Sequence, residues 1–212
     1  MAEGMPRRMS WALKAEGLLL WAGITAALAY RGWPVWVAPL LPSLWVNLPL
    51  ISLLVRREPL GAWGLVMPDL AGTARHVAVF VLLLGPASLV FLHLIGAIQF
   101  RWSGDPGALI ASLGRQLLWV ALPEEIFFRG YLWRRLEPTA DAPGSRLGRM
   151  VVNATLFAAT HYGIHPGAWA VATWVPGLYF TWLRCRTGSL SAPILCHAIA
   201  NTILFSATGA LP

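Results

Sequence analysis

Two adjacent carboxylates, Glu124 and Glu125, lie in an otherwise apolar stretch of the chain, and Arg129 follows four residues after the second. Within a membrane-spanning helix, a charged side chain costs roughly 3 kcal/mol even on the gentler insertion scales, so such residues usually face the interior of a helix bundle and serve a function. Alternatively, this stretch ends a helix at the interface, with Arg129 extended toward the head groups and both glutamates in water. Other polar residues in apolar segments decide between these interpretations.

Three further polar residues, His161, His197 and Asn201, lie within apolar segments later in the chain. Asn201 follows His197 by four residues, which places both side chains on one face of a helix. Counted at ~1.5 Å per residue from Arg134, Arg149 and Arg186 respectively, Glu124, His161 and His197 each lie roughly 15–18 Å from the same side of the membrane. A lone membrane histidine or asparagine more often hydrogen-bonds between helices. Agreement in depth across separate helices instead predicts one shared site.

The composition indicates a membrane protein. Hydrophobic residues make up 57% of the 212 residues and charged residues 12%, whereas about a quarter is usual for charged residues in soluble domains. Such a chain cannot cover a surface that faces water, so residues 1–212 are predicted to form a single integral-membrane domain. The net charge of +7 comes from basic residues between the apolar runs, which suits contacts with anionic lipid head groups rather than nucleic acid. Cys185 and Cys196 have no metal-ligand spacing and are expected to pack as small apolar residues.

The apolar runs predict an all-α fold, a polytopic membrane helix bundle of about seven transmembrane helices. Residues 56–75 are less apolar and are predicted to lie on the membrane surface, and an eighth crossing would have to come from this segment. The predicted spans are Trp11–Tyr30, Pro34–Val55, His76–Phe100, Ala108–Leu136, Met150–Ile164, Ala168–Arg184 and Ser189–Ala207.

The distribution of lysine and arginine predicts the orientation. With a cytoplasmic N-terminus, twelve of these residues fall on the cytoplasmic side and only Arg31 and Arg101 on the opposite side. Cytoplasmic loops carry the excess of basic residues, so this orientation is expected. The twelve residues are Arg7, Arg8, Lys14, Arg56, Arg57, Arg75, Arg134, Arg135, Arg146, Arg149, Arg184 and Arg186.

Three ordered motifs now carry a family resemblance. They are Glu124-Glu125-x-x-x-Arg129, Phe157-x-x-x-His161 and His197-x-x-x-Asn201. Together with Pro176-Gly177-Leu178 and the stretch from Gly188 to Ile194, they resemble the CPBP family (CAAX protease and bacteriocin-processing, or Abi) of intramembrane proteases. The resemblance covers residues 108–207, which are expected to form the catalytic core.

The resemblance implies a mechanism. Glu124 would act as the base that activates a water for attack on a peptide bond, and His161 would help to hold that water. His197 and Asn201 would donate hydrogen bonds to the developing oxyanion, while Glu125 and Arg129 would support the site. No cofactor is expected. The alternative is that Glu124, His161 and His197 bind zinc, although the His-Glu-x-x-His spacing of zinc proteases is absent.

Other classes of function compete with the protease interpretation. A non-catalytic immunity or scaffold protein of the same fold needs none of the four residues Glu124, His161, His197 and Asn201. A proton-coupled transporter also uses carboxylates and histidines at mid-depth, but it usually has repeated halves, which this sequence lacks.

As a protease, the chain resembles bacterial members and is expected in the inner (plasma) membrane, with its active site inside the bilayer. Expected partners are membrane lipids and a peptide substrate with a membrane-embedded or lipidated tail: a CAAX-like tail, a bacteriocin leader or a carboxy-terminal sorting tail. The oligomeric state stays open.

Overall fold

The computed structural model describes residues 10–102, 105–138 and 145–210. In these residues the chain forms seven long helices, one short 3₁₀ turn (Leu60–Trp63) and no strand, which confirms the predicted all-α membrane bundle. The helices are α1 (Trp11–Ala29), α2 (Ala38–Arg56, with a 3₁₀ start at Ala38–Ser43), α3 (Leu70–Leu94), α4 (106–135), α5 (Arg146–Ile164), α6 (Ala168–Ala172 and Trp174–Thr187) and α7 (Ser191–Thr208).

Short polar side chains start three of these helices. Ser10, Asp105 and Ser145 each accept a hydrogen bond from a backbone N–H of the first helical turn, at 3.3, 2.8 and 2.9 Å respectively. Such caps satisfy donors that have no partner within the helix. At the turn from α6 to α7, Gly188 has a φ of 68°, a left-handed conformation that glycine adopts without steric cost. These local signals fix where α1, α4 and α5 begin and where α6 ends.

Helix α4 lies at the centre of the bundle. Every residue from Glu125 to Trp133 is buried, whereas α1 buries only Gly17 and Ile24. Consecutive buried residues occupy all faces of a helix, so this part of α4 is enclosed on all sides. Four of the surrounding helices, α1, α2, α3 and α7, are long and apolar enough to cross a membrane. The chain is therefore an integral membrane protein in which apolar helices surround a polar centre.

Most of the segment between α2 and α3 is exposed or half-buried, but Trp63 packs into the bundle, which the sequence did not predict. Trp63 is fully buried, and its ring lies 5.3 Å from the ring of Tyr131 on α4. The indole N–H of Trp63 donates to Glu58 Oε2 at 2.8 Å, and Glu58 Oε1 lies 2.7 Å from Arg135 Nη1. Glu58 thus gives the buried Arg135 of α4 a carboxylate partner, as a buried charge requires.

Helix α3 also differs from the predicted span His76–Phe100. It begins at Leu70 and ends at Leu94, so it includes residues that were predicted to lie on the surface. Its end is set by Gly96, which has a φ of 73°, while the N–H of Ala97 donates to the carbonyl of Leu92 at 2.9 Å. This left-handed glycine after the last turn stops the helix, although apolar residues continue beyond it.

Candidate active site

Glu125 is the residue on which the buried polar contacts of α4 and α7 converge. Its Oε1 lies 3.0 Å from Arg129 Nη1 and 2.8 Å from His197 Nδ1. Glu125 and Arg129 are completely buried, and His197 is only 3% exposed. Because an ionised carboxylate only accepts hydrogen bonds, the Nδ1 of His197 carries the proton that it donates. Glu125 thereby sets the orientation and tautomer of the imidazole and leaves Nε2 for other contacts.

Arg129 is held by groups from the neighbouring helices. Its Nη2 donates to the carbonyl of Gly177 at 2.9 Å, and its Nε donates to Thr181 Oγ1 at 3.4 Å. The guanidinium also lies over the ring of Phe157, 4.4 Å from its centroid. A buried cation is tolerated when a counter-charge and hydrogen-bond acceptors surround it. Arg129 therefore forms an ion pair with Glu125, and its contacts with α6 fix the position of that pair.

Glu124 approaches the second nitrogen of the same imidazole. Its Oε2 lies 3.9 Å from His197 Nε2, which is too far for a direct hydrogen bond. This oxygen is buried and has no hydrogen-bond partner within the described part of the chain. The side chain of Glu124 is 18% exposed, whereas that of Glu125 is 0% exposed. Arg129 forms its ion pair with Glu125, whereas the nearest charged contact of Glu124 is His197 at 3.9 Å.

His161 lies near the glutamates and His197, but the ring of Phe157 lies between His161 and His197. Its Nδ1 lies 3.0 Å from the carbonyl oxygen of Phe157, one turn earlier on α5. The ring of Phe157 lies 4.5 Å from the ring of His161 and 5.9 Å from that of His197. Phe157 is thus the common neighbour of both imidazoles, and the side-chain contact of His161 is with the Phe157 carbonyl rather than with Glu124.

The possible zinc set of Glu124, His161 and His197 is not gathered around one point. Across residues 10–102, 105–138 and 145–210, no group of at least three His, Cys, Asp or Glu side chains is placed to hold a metal ion. A catalytic zinc requires about three protein ligands that converge to roughly 2.0–2.2 Å from the ion. This arrangement of side chains does not fit a metal, and metal dependence stays a prediction for experiment.

Asn201 lies one turn after His197 on α7, and it contacts a residue that the sequence analysis missed. Its Nδ2 donates to Oε1 of Gln116 on α4 at 3.1 Å. Gln116 is only 4% exposed. The sequence feature that could have identified Gln116 is a polar amide side chain within an apolar run, eight residues before Glu124.

Two more buried polar residues, Asn153 and Thr181, join the helices behind the site. Asn153 Nδ2 donates to the carbonyl of Phe128 at 2.7 Å, and Thr181 Oγ1 lies 3.1 Å from Asn153 Oδ1. Thr181 also contacts Arg129, so α4, α5 and α6 share one hydrogen-bond network. The spacing of Asn153, Phe157 and His161 at intervals of four residues is the pattern that could have placed Asn153 on the interior face of α5.

The two glutamates lie on a short α-helical stretch, Leu122–Glu125, between two π-helical stretches of α4. The first π-helical stretch is Gln116–Ala121 and the second is Ile126–Leu132. A π-helical turn inserts a residue and shifts the faces of the helix that follows, and such turns are frequent at functional sites. The faces of α4 are therefore shifted from those of a regular helix at the turn whose acidic residues lie near α7.

Fold and site together define a polytopic membrane protein with paired carboxylates and a histidine in the bundle interior. Residues 106–203 match the family model described as type II CAAX prenyl endopeptidase Rce1-like. This region contains Glu124, His161, His197 and Asn201, and its match is to the CPBP/CAAX protease family that the three motifs resemble. The family is one of peptide hydrolases, so the match supports an intramembrane endopeptidase. No match was found among the curated proteins or the solved structures.

Proposed function

We propose that this protein is an intramembrane endopeptidase that hydrolyses its substrate with a water activated by Glu124. The observation that carries the proposal is the different environment of the two adjacent glutamates. Both glutamates have one buried oxygen, Oε2, without a hydrogen-bond partner in the described residues. Oε1 of Glu125, however, contacts Arg129 and His197 Nδ1, whereas the nearest charged contact of Glu124 is His197 Nε2 at 3.9 Å. One carboxylate thus organises the histidine and the other is available as a base.

In the proposed reaction, a water bound beside Glu124 attacks the carbonyl carbon of the scissile peptide bond while its proton passes to the Glu124 carboxylate. The negative charge on the carbonyl oxygen is stabilised by hydrogen bonds from His197 Nε2–H and from the side-chain amide of Asn201. In this proposal His197 acts as the imidazolium, with Nδ1–H donating to Glu125 and Nε2–H donating to the oxyanion. The tetrahedral intermediate collapses, and Glu124 returns the proton to the leaving amine.

His161 is proposed to hold the attacking water on the side opposite Glu124. In the structure its Nδ1 is directed to the carbonyl of Phe157, so a contact with water uses Nε2 or follows a rotation of the ring. The ring contacts that Phe157 makes with both imidazoles support this role, because they place His161 and His197 on either side of one ring.

The proposed substrate is a peptide with a lipidated or membrane-embedded carboxy-terminal tail. The family description names CAAX prenyl endopeptidases, and the position of the site within a membrane protein suits a tail that already lies in the bilayer. A bacteriocin leader and a carboxy-terminal sorting tail are the alternative substrates.

We propose that the protein lies in a bacterial plasma membrane. Its N-terminus is proposed to be in the cytoplasm, because basic residues are concentrated on the side that this orientation assigns to the cytoplasm.

The test is cleavage of a farnesylated peptide ending in a CAAX sequence, with purified wild type and Glu124→Gln, each with and without a strong chelator. Glutamine keeps the shape of the side chain but cannot act as a base. We expect cleavage by wild type regardless of chelator and a loss of roughly a thousandfold or more in Glu124→Gln, because a general base contributes about 10²–10⁴ and positions the water.

Glu137→Gln is the matched control, since Glu137 lies at the end of the same helix and pairs with Arg134 rather than with the site. Cleavage that is abolished by the chelator would replace the glutamate mechanism with a metal-dependent one. A Glu124→Gln variant as active as wild type would remove Glu124 from the chemistry. If wild type cleaves neither this peptide nor leader and sorting-tail peptides, the immunity or scaffold interpretation is preferred.

A further inference from the structure

Gln116 is a buried amide that the proposed reaction does not use directly. It lies on the face of α4 that packs against α7, and only 4% of its surface is exposed. Its Oε1 accepts a hydrogen bond of 3.1 Å from Asn201 Nδ2. An amide without a partner is costly to bury, by about 1–3 kcal/mol, so this contact contributes to holding α4 against α7.

The place of Gln116 on α4 ties it to Glu124. The two residues are eight positions apart, whereas two turns of a regular α-helix span ~7.2 residues. Gln116 is the first residue of the π-helical stretch Gln116–Ala121, and a π-helical turn takes up one additional residue. Eight positions therefore correspond to about two turns here, which brings Gln116 and Glu124 toward one face of the helix.

We infer that Gln116 is a positioning residue for Asn201: its Oε1 holds the Asn201 amide in the orientation that presents N–H, rather than C=O, to the oxyanion. The inference rests on the proposed function, in which Asn201 stabilises that oxyanion. An asparagine amide carries two N–H bonds and one acceptor oxygen. When Gln116 accepts from one N–H, the other is left for substrate. If the amide rotated by half a turn, its oxygen would meet the oxyanion and repel it.

The chemistry of this contact separates positioning from simple packing. Gln116→Met preserves length and volume but removes the acceptor, and Gln116→Glu preserves the acceptor oxygen whether or not the carboxyl is ionised. If Gln116 merely fills space, both variants behave alike. If Gln116 instead donated to the oxygen of Asn201, an ionised glutamate at position 116 would be the more harmful change.

The experiment measures kcat and KM for the farnesylated CAAX peptide with wild type, Gln116→Met, Gln116→Glu, Asn201→Ala and the double variant Gln116→Met/Asn201→Ala. We expect Gln116→Met to lower kcat by about tenfold or more with KM nearly unchanged, since removal of an oxyanion donor costs about 10²–10³ and a misplaced donor loses part of that effect. Gln116→Glu should recover most of the lost turnover. The double variant should be no slower than Asn201→Ala alone, because residues that act through one interaction are not additive.

Thr202→Val is the control for packing. Thr202 is the neighbour of Asn201 on α7 and is 8% exposed, and its hydroxyl donates to the carbonyl of Ala198 within the same helix at 2.9 Å. The substitution removes a buried hydrogen bond from α7 without touching the site, so kcat should stay at the wild-type value.

If Gln116→Met does not fold, Gln116→Asn replaces it, because the shorter side chain cannot reach Asn201. Turnover by Gln116→Glu but not by Gln116→Asn supports the inference.

Two results would overturn the inference, and they are distinguishable. If Asn201→Ala loses turnover while Gln116→Met matches wild type, or if the two losses multiply in the double variant, Gln116 does not position Asn201 and the proposed function stands. If Asn201→Ala is as fast as wild type, or if wild type cleaves no peptide, the proposed role of Asn201 fails and the role of Gln116 fails with it.

Discussion

Glu125 on α4 and His197 on α7 are 72 positions apart in the sequence, and their side chains lie 2.8 Å from each other in the bundle interior. The contact gives adjacent glutamates different tasks. Glu125 shares one oxygen between His197 and Arg129, so its charge is already compensated. Glu124 approaches the same imidazole from the side of Nε2, at 3.9 Å, and is the glutamate that we propose as the base.

The two glutamates should therefore respond differently to the same substitution. Glu125→Gln leaves the buried guanidinium of Arg129 without its counter-charge, and we expect a loss of about 3–5 kcal/mol in the free energy of unfolding. Glu124→Gln should leave that free energy nearly unchanged while turnover is lost. Thermal unfolding of both variants in detergent micelles measures this difference. Equal thermal stability of the two variants would contradict the assignment of the structural role to Glu125.

Arg129→Lys tests whether the geometry of the guanidinium matters in addition to its charge. Arg129 reaches Glu125, Gly177 and Thr181 in three directions, and a single ammonium group cannot reproduce that planar arrangement. We expect a loss of about 2–3 kcal/mol, the cost of buried acceptors left without donors. Unfolding in denaturant measures the change, with Arg186→Lys, at an exposed position, as the control. A variant as stable as this control would show that charge alone is sufficient.

Trp63→Ala tests the burial of the segment between α2 and α3. Trp63 is completely buried against α4, and Trp36, which is 73% exposed, offers a matched control. Loss of a buried tryptophan typically costs about 3–5 kcal/mol, so the unfolding temperature should fall clearly for Trp63→Ala and change little for Trp36→Ala. Similar effects at both positions would place Trp63 at the membrane surface instead.

The proposed orientation can be measured in intact cells. In a variant with Cys185 and Cys196 replaced by serine, a single cysteine is introduced in place of Arg101 or of Arg186. A maleimide that cannot cross the membrane should label the cysteine at position 101 from outside and should label that at position 186 only after the cells are opened. The reverse pattern would require a cytoplasmic site for Arg101 and would contradict the distribution of basic residues.

The sequence predicted the membrane class, the helical fold and the residues of the three motifs, because these depend on long apolar runs and on polar residues that interrupt them. Glu125 and Arg129 were expected to support the site because the family motifs contain them, and they form a buried ion pair within α4. Depth along the helices placed His197 near the glutamates. Depth alone does not show which glutamate lies near which nitrogen of His197, because that depends on the rotation of each helix about its axis.

Trp63 and Gln116 show what the sequence did not reveal. The sequence around a tryptophan in a short, glycine-rich segment does not distinguish the membrane interface from the protein core. Both locations favour an aromatic ring with a polar edge. For Gln116, the obstacle is the π-helical stretch that follows it. Because periodicity arguments assume 3.6 residues per turn, a local insertion moves side chains to faces that regular spacing does not predict.

The enclosed position of α4 has a consequence for the order in which the protein is made. The charged residues of its centre find their partners on helices that are synthesised later: Arg129 contacts Thr181 on α6, and Glu125 contacts His197 on α7. Until α6 and α7 have been synthesised, Glu125 and Arg129 have only each other as charged or hydrogen-bonding partners among these residues. A charge with incomplete partners is unfavourable inside a bilayer. Assembly of the site must therefore await the carboxy-terminal helix, so a chain truncated before α7 would be a substrate for quality control rather than a partly active enzyme.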